Sequence, residues 1–349
     1  MEAALAREPV GRRVLPSLGL LLMAGGLLLL AWVTHSFWQP GTAPYRYQRV
    51  EQGGIEHFAH LGLGAWPDLA ITKYEIHVDG LDQPVAVGHV ARRGSASPVM
   101  LDWDNRSGEP LVFSDTRLTE LKPLAAAVSK HTPKEALLLA WWDTARQLHL
   151  LTGRDVAYDA HLGQPLVAPA PWRHHDLSIV RYEREFWGAP PNDVDAQRFA
   201  RFAEALASES DRGAAMLREL AGNREAYVIV HVSDLYKLGL QFPDRLGVAY
   251  KDLILKGDVH GQISYVKRWV AENRYSAYTV HELSGQQARA YAVTDARSGQ
   301  TLLAQMLPLG SSNPTEMQAL QLVYQHGGYW VYRIPADGSA SPASMTKPS

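Results

Sequence analysis

Asp143 and Asp234 each stand where a strand-like run gives way to a helical pattern, the unbroken apolar run Ala136 to Trp142 in the first case and the β-branched run Ala226 to Val232 in the second. Open α/β sheets bind ligands at the carboxyl ends of their strands, so a carboxylate at such a point is a candidate for function. Asp143 is the better placed of the two. Helix capping is the competing explanation for both, since aspartate readily satisfies the free amides of a first turn. On a helix beginning at Asp143, Arg146 and Gln147 fall three and four positions on, with His149 beside Arg146. They form an expected exposed polar patch flanked by two indoles. The expected binding residues are therefore Trp141, Trp142, Asp143, Arg146, Gln147 and His149, with no catalytic residue and no metal ligand assigned.

Other chemistry has little support. The chain lacks a Gly-x-Ser-x-Gly elbow, a phosphate loop and a His-x-x-x-His pair. His77 and His89 fall on strand-like segments and read as ordinary edge or half-buried residues. His174 and His175 are adjacent, and neighbouring side chains diverge on any regular element, which makes a poor metal signature. No cofactor is called for. A histidine-only metal or haem site is permitted by the composition but supported by no spacing.

The elements around the two aspartates give an α/β rhythm. Leu118 to Lys130 has helical spacing, Thr132, Pro133 and Glu135 resemble a capped first turn, and the run Ala136 to Trp142 suits a strand buried on both faces. Thr144 to Thr152 then reads as a helix closed by Gly153. Asp155 to Asp159 is a further short strand. Asp193 to Ala205 and Asp211 to Leu220 read as amphipathic helices, and Ile263 to Asn273 as another. Upstream, Ala70 to Val78 and Pro84 to Val90 suggest a hairpin, followed by a turn over Asp102 to Gly108. Downstream, Ala277–Glu282, Ala288–Thr294, Thr301–Leu307, Ala319–Tyr324 and Tyr329–Ile334 are strand candidates, with Gly327-Gly328 as a hairpin turn. The fold class is thus mixed α/β with a β-rich C-terminal part.

The 349 residues suffice for one large or two ordinary domains. A net charge of −2 without a block of one sign leaves no footprint for nucleic acid. Cysteine is absent, which removes disulfides, thiolate sites and covalent c-type haem attachment. Val14 to Val33 is uncharged and leucine-rich, about the length that spans a bilayer. Arg7, Arg12 and Arg13 before it favour a cytoplasmic N-terminus. The expected layout is a cytoplasmic segment 1–13, an inner-membrane anchor 14–33, a linker 34–54, an extracytoplasmic domain 55–334 with a possible subdivision near 190, and a disordered tail 335–349.

Three resemblances can be placed on residues. Gly257-Asp258-Val259-His260-Gly261 resembles the first metal-binding element of calcineurin-like phosphoesterases, but the partner elements do not follow it, so it reads as a turn. Trp141-Trp142-Asp143 resembles the acceptor-recognising motif of oligosaccharyltransferases, with Thr144 and Ala145 in place of that family's Tyr-Gly. The most extensive likeness joins one N-terminal membrane segment to Thr132-Pro133, Ala136 and Trp141-Trp142-Asp143-Thr144-Ala145-Arg146-Gln147. It resembles the HaoB family, encoded beside hydroxylamine oxidoreductase. That resemblance implies an accessory role in periplasmic hydroxylamine oxidation, with the inner membrane and hydroxylamine oxidoreductase or another periplasmic multihaem protein as partners. The alternative is a periplasmic α/β hydrolase or transferase using Asp143 with a nearby histidine.

Overall fold

The computed structural model describes residues 11–38, 42–106, 117–162, 172, 175–190, 192–255, 259–310, 314–315, 317 and 319–335. The chain divides into two units, Met1–Ala43 and Pro44–Ser349. In the first unit the leucine-rich stretch forms one helix, α1 (Gly11–Trp38), whose side chains from Leu20 to Val33 are exposed. Among the described residues no helix is long and apolar enough to cross a membrane; the side chains described on α1 are those of residues 20–34.

The second unit opens with an antiparallel sheet in chain order, β1 (Tyr45–Gly54), β2 (Leu69–Val78), β3 (Ala86–Arg93) and β4 (Val99–Asn105). The hairpin expected from the alternation of residues 70–90 is β2 with β3. Two expectations fail here. Tyr45–Gly54 is a paired strand and not linker, because Tyr45 and Tyr47 project to one side and dock on the helix that carries Tyr182 and Glu183. Asp102 to Asn105 continues a strand and does not turn, held in register opposite Ala86 to His89.

Next come α2 (Leu118–His131), β5 (Leu137–Leu139), α3 (Trp142–Thr152), β6 (Asp155–Val156), α4 (Asp176–Trp187), α5 (Asp193–Leu206), α6 (Ser210–Ala221), β7 (Ala226–His231) and α7 (Asp234–Gln241). The chain ends with β8 (Val248–Ile254), α8 (Val259–Glu272), β9 (Ala277–Ser284), β10 (Gln287–Val293), α9 (Leu302–Met306), β11 (Gln321–His326) and β12 (Tyr329–Ile334). Thr301–Leu307 is thus not a strand. Thr301 accepts the Ala304 amide and starts the short helix α9, whose apolar residues are buried throughout. A short, mostly apolar run carries little period, and packing decides between the two forms. Gly257 and Asp258 of the Gly-Asp-x-His-Gly segment and the tail from 336 onward lie outside the described residues.

The central sheet has the order β11-β12-β7-β5-β6. Strands β5, β6 and β7 are parallel, and β12 joins β7 antiparallel. Every residue of β5 and β7 is buried, as expected of parallel strands covered on both faces. The register sets Leu137 opposite Ala226 and Leu139 opposite Val228. Asp143 and Asp234 therefore leave the sheet from the same end of neighbouring strands. The sheet β8-β10-β9 shares part of the main core and keeps a small core of its own, Leu253, Val266, Ala288 and Ala290.

Candidate functional site

Asp234 and Lys237 pair in the interior, with Asp143 within electrostatic reach of both. Lys237 lies one helical turn after Asp234, its ammonium 3.1 Å from Asp234 Oδ1, and the two side chains are 1% and 3% exposed. The same ammonium stands 5.4 Å from the centroid of Trp141, and such stacking favours a desolvated cation. Burial pushes the Asp143 carboxyl above its ordinary range, the charge of Lys237 pulls it back, and that of Asp234 pushes it further up. Neither aspartate is a helix cap of the usual kind. Asp143 Oδ1 accepts the amide of its neighbour Thr144, and Asp234 Oδ2 reaches back to the amide of His231 at the end of β7.

The remaining candidates do not form an exposed patch. Trp141, Trp142, Asp143, Arg146 and Gln147 are all buried. Arg146 donates to the carbonyls of Pro98 and Asp159, and Gln147 Nε2 to the carbonyl of Met100. They hold α3 against β4, a use that helical spacing alone could not reveal. His149 is half-buried and its Nδ1 lies 2.7 Å from the Arg154 carbonyl, inside the turn that Gly153 makes in the left-handed conformation. The expected capping pair of Thr132 and Glu135 is also absent: Thr132 ends α2, its hydroxyl donating to Val128 and accepting from Arg154. The cleft over Asp143, lined by Met100, Trp142, Arg146, His161 and Trp187 among others, has room for a water molecule and little more. It does not offer Asp143 a substrate-sized space.

His161 and Glu183 close that side of the centre. The His161 ring lies between Trp142 and Trp187, 4.7 and 5.1 Å away, and Trp187 Nε1 donates to Glu183. Burial first, and the charge of Arg146 second, lower the His161 pKa from 6.5 to about 2. Burial raises that of Glu183 from 4.5 to about 7, against the hydrogen bonds of Tyr45, Tyr47 and Trp187. Folded Glu183 keeps a proton that the unfolded chain releases, so its contribution is present below pH 4.5 and lost as pH rises through about 7. The contribution of His161 has the opposite sign, present above pH 6.5 and lost as pH falls towards about 2. Between these limits the two slopes oppose. His161→Phe is expected to expose the glutamate arm, with stability falling by about 3 kcal/mol as pH rises through this window. Urea unfolding across pH is the measurement, and a variant whose profile matches the parent's would overturn the assignment.

Beyond Tyr329 lies a second polar group that no spacing in the sequence brings together. Tyr329 packs on His231, ring centroids 4.6 Å apart, and burial first, then the charges of Asp143, Asp234 and Glu120, push its hydroxyl pKa well up. Glu120 of α2, His231 of β7 and His281 of β9 bring their side-chain ligand atoms within 4.8 Å of one another, all three buried. Gly328 donates its amide to Glu120 Oε2, and Arg117 donates to Oε1. Burial alone would raise the Glu120 pKa; the approach of His231, the Gly328 amide and the charges of both histidines bring it down to about 2. These residues are spread over three elements with no short spacing between them. The nearest sequence signals are the strand-end position of His231 and the glycine pair at 327 and 328.

A family model described as HaoA-associated protein HaoB matches residues 11–334. No curated protein matches the sequence. Among solved structures, the C-terminal domain of C. jejuni PglB is similar at 9% identity and a TM-score of 0.34, covering 61% of this chain and 98% of that one. At that TM-score the likeness does not define a shared fold.

Proposed function

Since the chain belongs to the HaoB family, we propose that it is a membrane-anchored accessory protein that works beside hydroxylamine oxidoreductase, HaoA, on the periplasmic side of the inner membrane. The observation that carries this reading is the family match over residues 11–334, which includes both the helix α1 and the folded unit. An anchor is supported by the uncharged stretch Val14 to Val33 and by the leucines that α1 exposes between Leu20 and Leu30. The three arginines before it favour a cytoplasmic N-terminus under the positive-inside rule.

The accessory role is either to assist maturation of the oxidoreductase or to hold it at the membrane. In both cases contact is made through the outer surface of the second unit, because Trp141, Trp142 and Asp143 are buried, Trp141 against Phe199 and Lys237 and Trp142 against His161, and serve as its interior. The test is a pull-down from detergent-solubilised native membranes with the full chain as bait, followed by mass spectrometry and an optical spectrum. Recovery of a multihaem oxidoreductase is expected, and Asp143→Asn, which preserves shape, should leave recovery intact. A bait that elutes alone and colourless removes the reading.

A further inference from the structure

The buried cluster of Glu120, His231 and His281 goes beyond this accessory role. Its geometry is that of coordination more than of hydrogen bonding. His231 Nε2 lies 3.5 Å from Glu120 Oε2, and His281 Nε2 lies 3.6 Å from Glu120 Oε1. Nitrogen and oxygen that share a proton come to about 2.7–3.2 Å. Two ligands at about 2.0–2.1 Å from one tetrahedral ion stand roughly 3.4 Å apart. The two imidazole rings are also perpendicular, at 88° with centroids 5.1 Å apart, so that both nitrogens can converge on one point without stacking.

The hairpin over the cluster is shaped to leave that point free. Gly327 has a φ of 55°, and a Cβ there would fall 2.4 Å from Glu120 Oε2. A Cβ on Gly328 would fall 2.2 Å from His231 Nε2, about the distance at which an imidazole holds a metal ion. Ordinary residues in this turn would fill the space into which the ligands point. The carboxylate is held by Arg117 and the Gly328 amide, each using one lone pair and leaving others for an ion. On His231, the Ser233 hydroxyl lies 2.7 Å from Nδ1 and the Ser233 amide 3.2 Å from it. The amide donates to Nδ1, so the ring proton sits on Nε2, facing Glu120; an ion taking Nε2 moves that proton to Nδ1, where the Ser233 hydroxyl can accept it as the outer partner a metal-bound histidine needs.

We propose that Glu120, His231 and His281 form a binding site for one zinc-class divalent ion. Two imidazoles and a carboxylate suit zinc, cobalt or ferrous iron and not magnesium or calcium, which want oxygen alone. Three protein ligands leave a fourth position for water or another small ligand. Ser233 is a positioning residue. The ion ties the central sheet, through β7, to α2 and to the separate sheet that contains β9.

The experiment uses the full-length protein purified in detergent without chelator. Elemental analysis should find about one equivalent of a divalent transition metal per chain, and the stripped protein should take up cobalt with a visible ligand-field spectrum. His281→Gln, which keeps the volume, should lower cobalt affinity by at least about 100-fold. Ser233→Ala, which touches no ligand atom of the ion, should lower it by roughly 10–100-fold, and Ser233→Thr should restore it. Chelator should lower the melting temperature of the wild-type protein and leave that of His281→Gln unmoved. No stoichiometric uptake of zinc, cobalt or iron by the wild-type chain overturns the proposal, as does unchanged cobalt affinity in folded His281→Gln. Should His281→Gln fail to fold, unchanged affinity in Ser233→Ala overturns it equally.

Discussion

Lys237→Met is expected to destabilise the folded chain by about 3–5 kcal/mol near neutral pH, the cost of leaving a buried charge without its partner. The lysine is almost fully covered and is the cation opposite two buried carboxylates, Asp234 at 3.1 Å and Asp143 within electrostatic reach. Methionine fills nearly the same space, so packing is retained and the charge alone is lost. The Asp143 carboxyl, already raised, rises further once the lysine no longer pulls it down. The sign then follows: the variant suffers most where Asp143 would have to ionise and recovers part of its stability as pH falls and the carboxyl takes a proton. Adding Asp234→Asn should restore part of the loss at neutral pH. Chemical denaturation at neutral and mildly acid pH is the measurement. A loss under about 1 kcal/mol would mean that water reaches the centre.

Trp142→Ala should cost about 3–5 kcal/mol, the range for deleting a buried indole that its surroundings cannot replace. Trp142 is fully covered and packs edge-on against His161, which in turn stacks on Trp187. An exposed recognition surface predicts the reverse, namely an unchanged melting temperature and a lost partner. Thermal unfolding of Trp142→Ala beside the milder Trp142→Phe separates the two. If alanine leaves the melting temperature within a degree or two while abolishing recovery of the oxidoreductase, the interior role is wrong.

The reason the two aspartates were readable in the sequence, and their neighbours were not, is one of range. Strands β5 and β7 are buried on both faces, and an unbroken apolar run is the signature of that burial. The residue that ends such a run is placed by the run itself, which is why Asp143 and Asp234 could be singled out. Gly153 and Gly327 were readable for a related reason, since each has a positive φ that glycine adopts without cost. Arg146 and Gln147 are different. Their partners, the carbonyls of Pro98 and Met100, lie more than forty residues away, so a helix wheel could only suggest that these polar side chains face solvent. Strand β1 was hidden by Pro44 before it and by Gly53-Gly54 at its end, although the alternation of Tyr45 and Tyr47 was a signal for it. The cluster of Glu120, His231 and His281 had no local signature at all, because its members come from α2, β7 and β9.

The small separate core beneath β8, α8 and β10 bears on how anything reaches that cluster. Leu253, Val266, Ala288 and Ala290 are few and two of them are alanines, so this lobe has less apolar burial to lose on opening than the central sheet does. His281 rides on β9, in the same three-stranded sheet. A fluctuation that lifts the lobe while the central sheet stays folded would carry one ligand away from the other two and let solvent in between. Exchange of an ion held by the three proposed ligands would then be expected to run at the pace of that local opening.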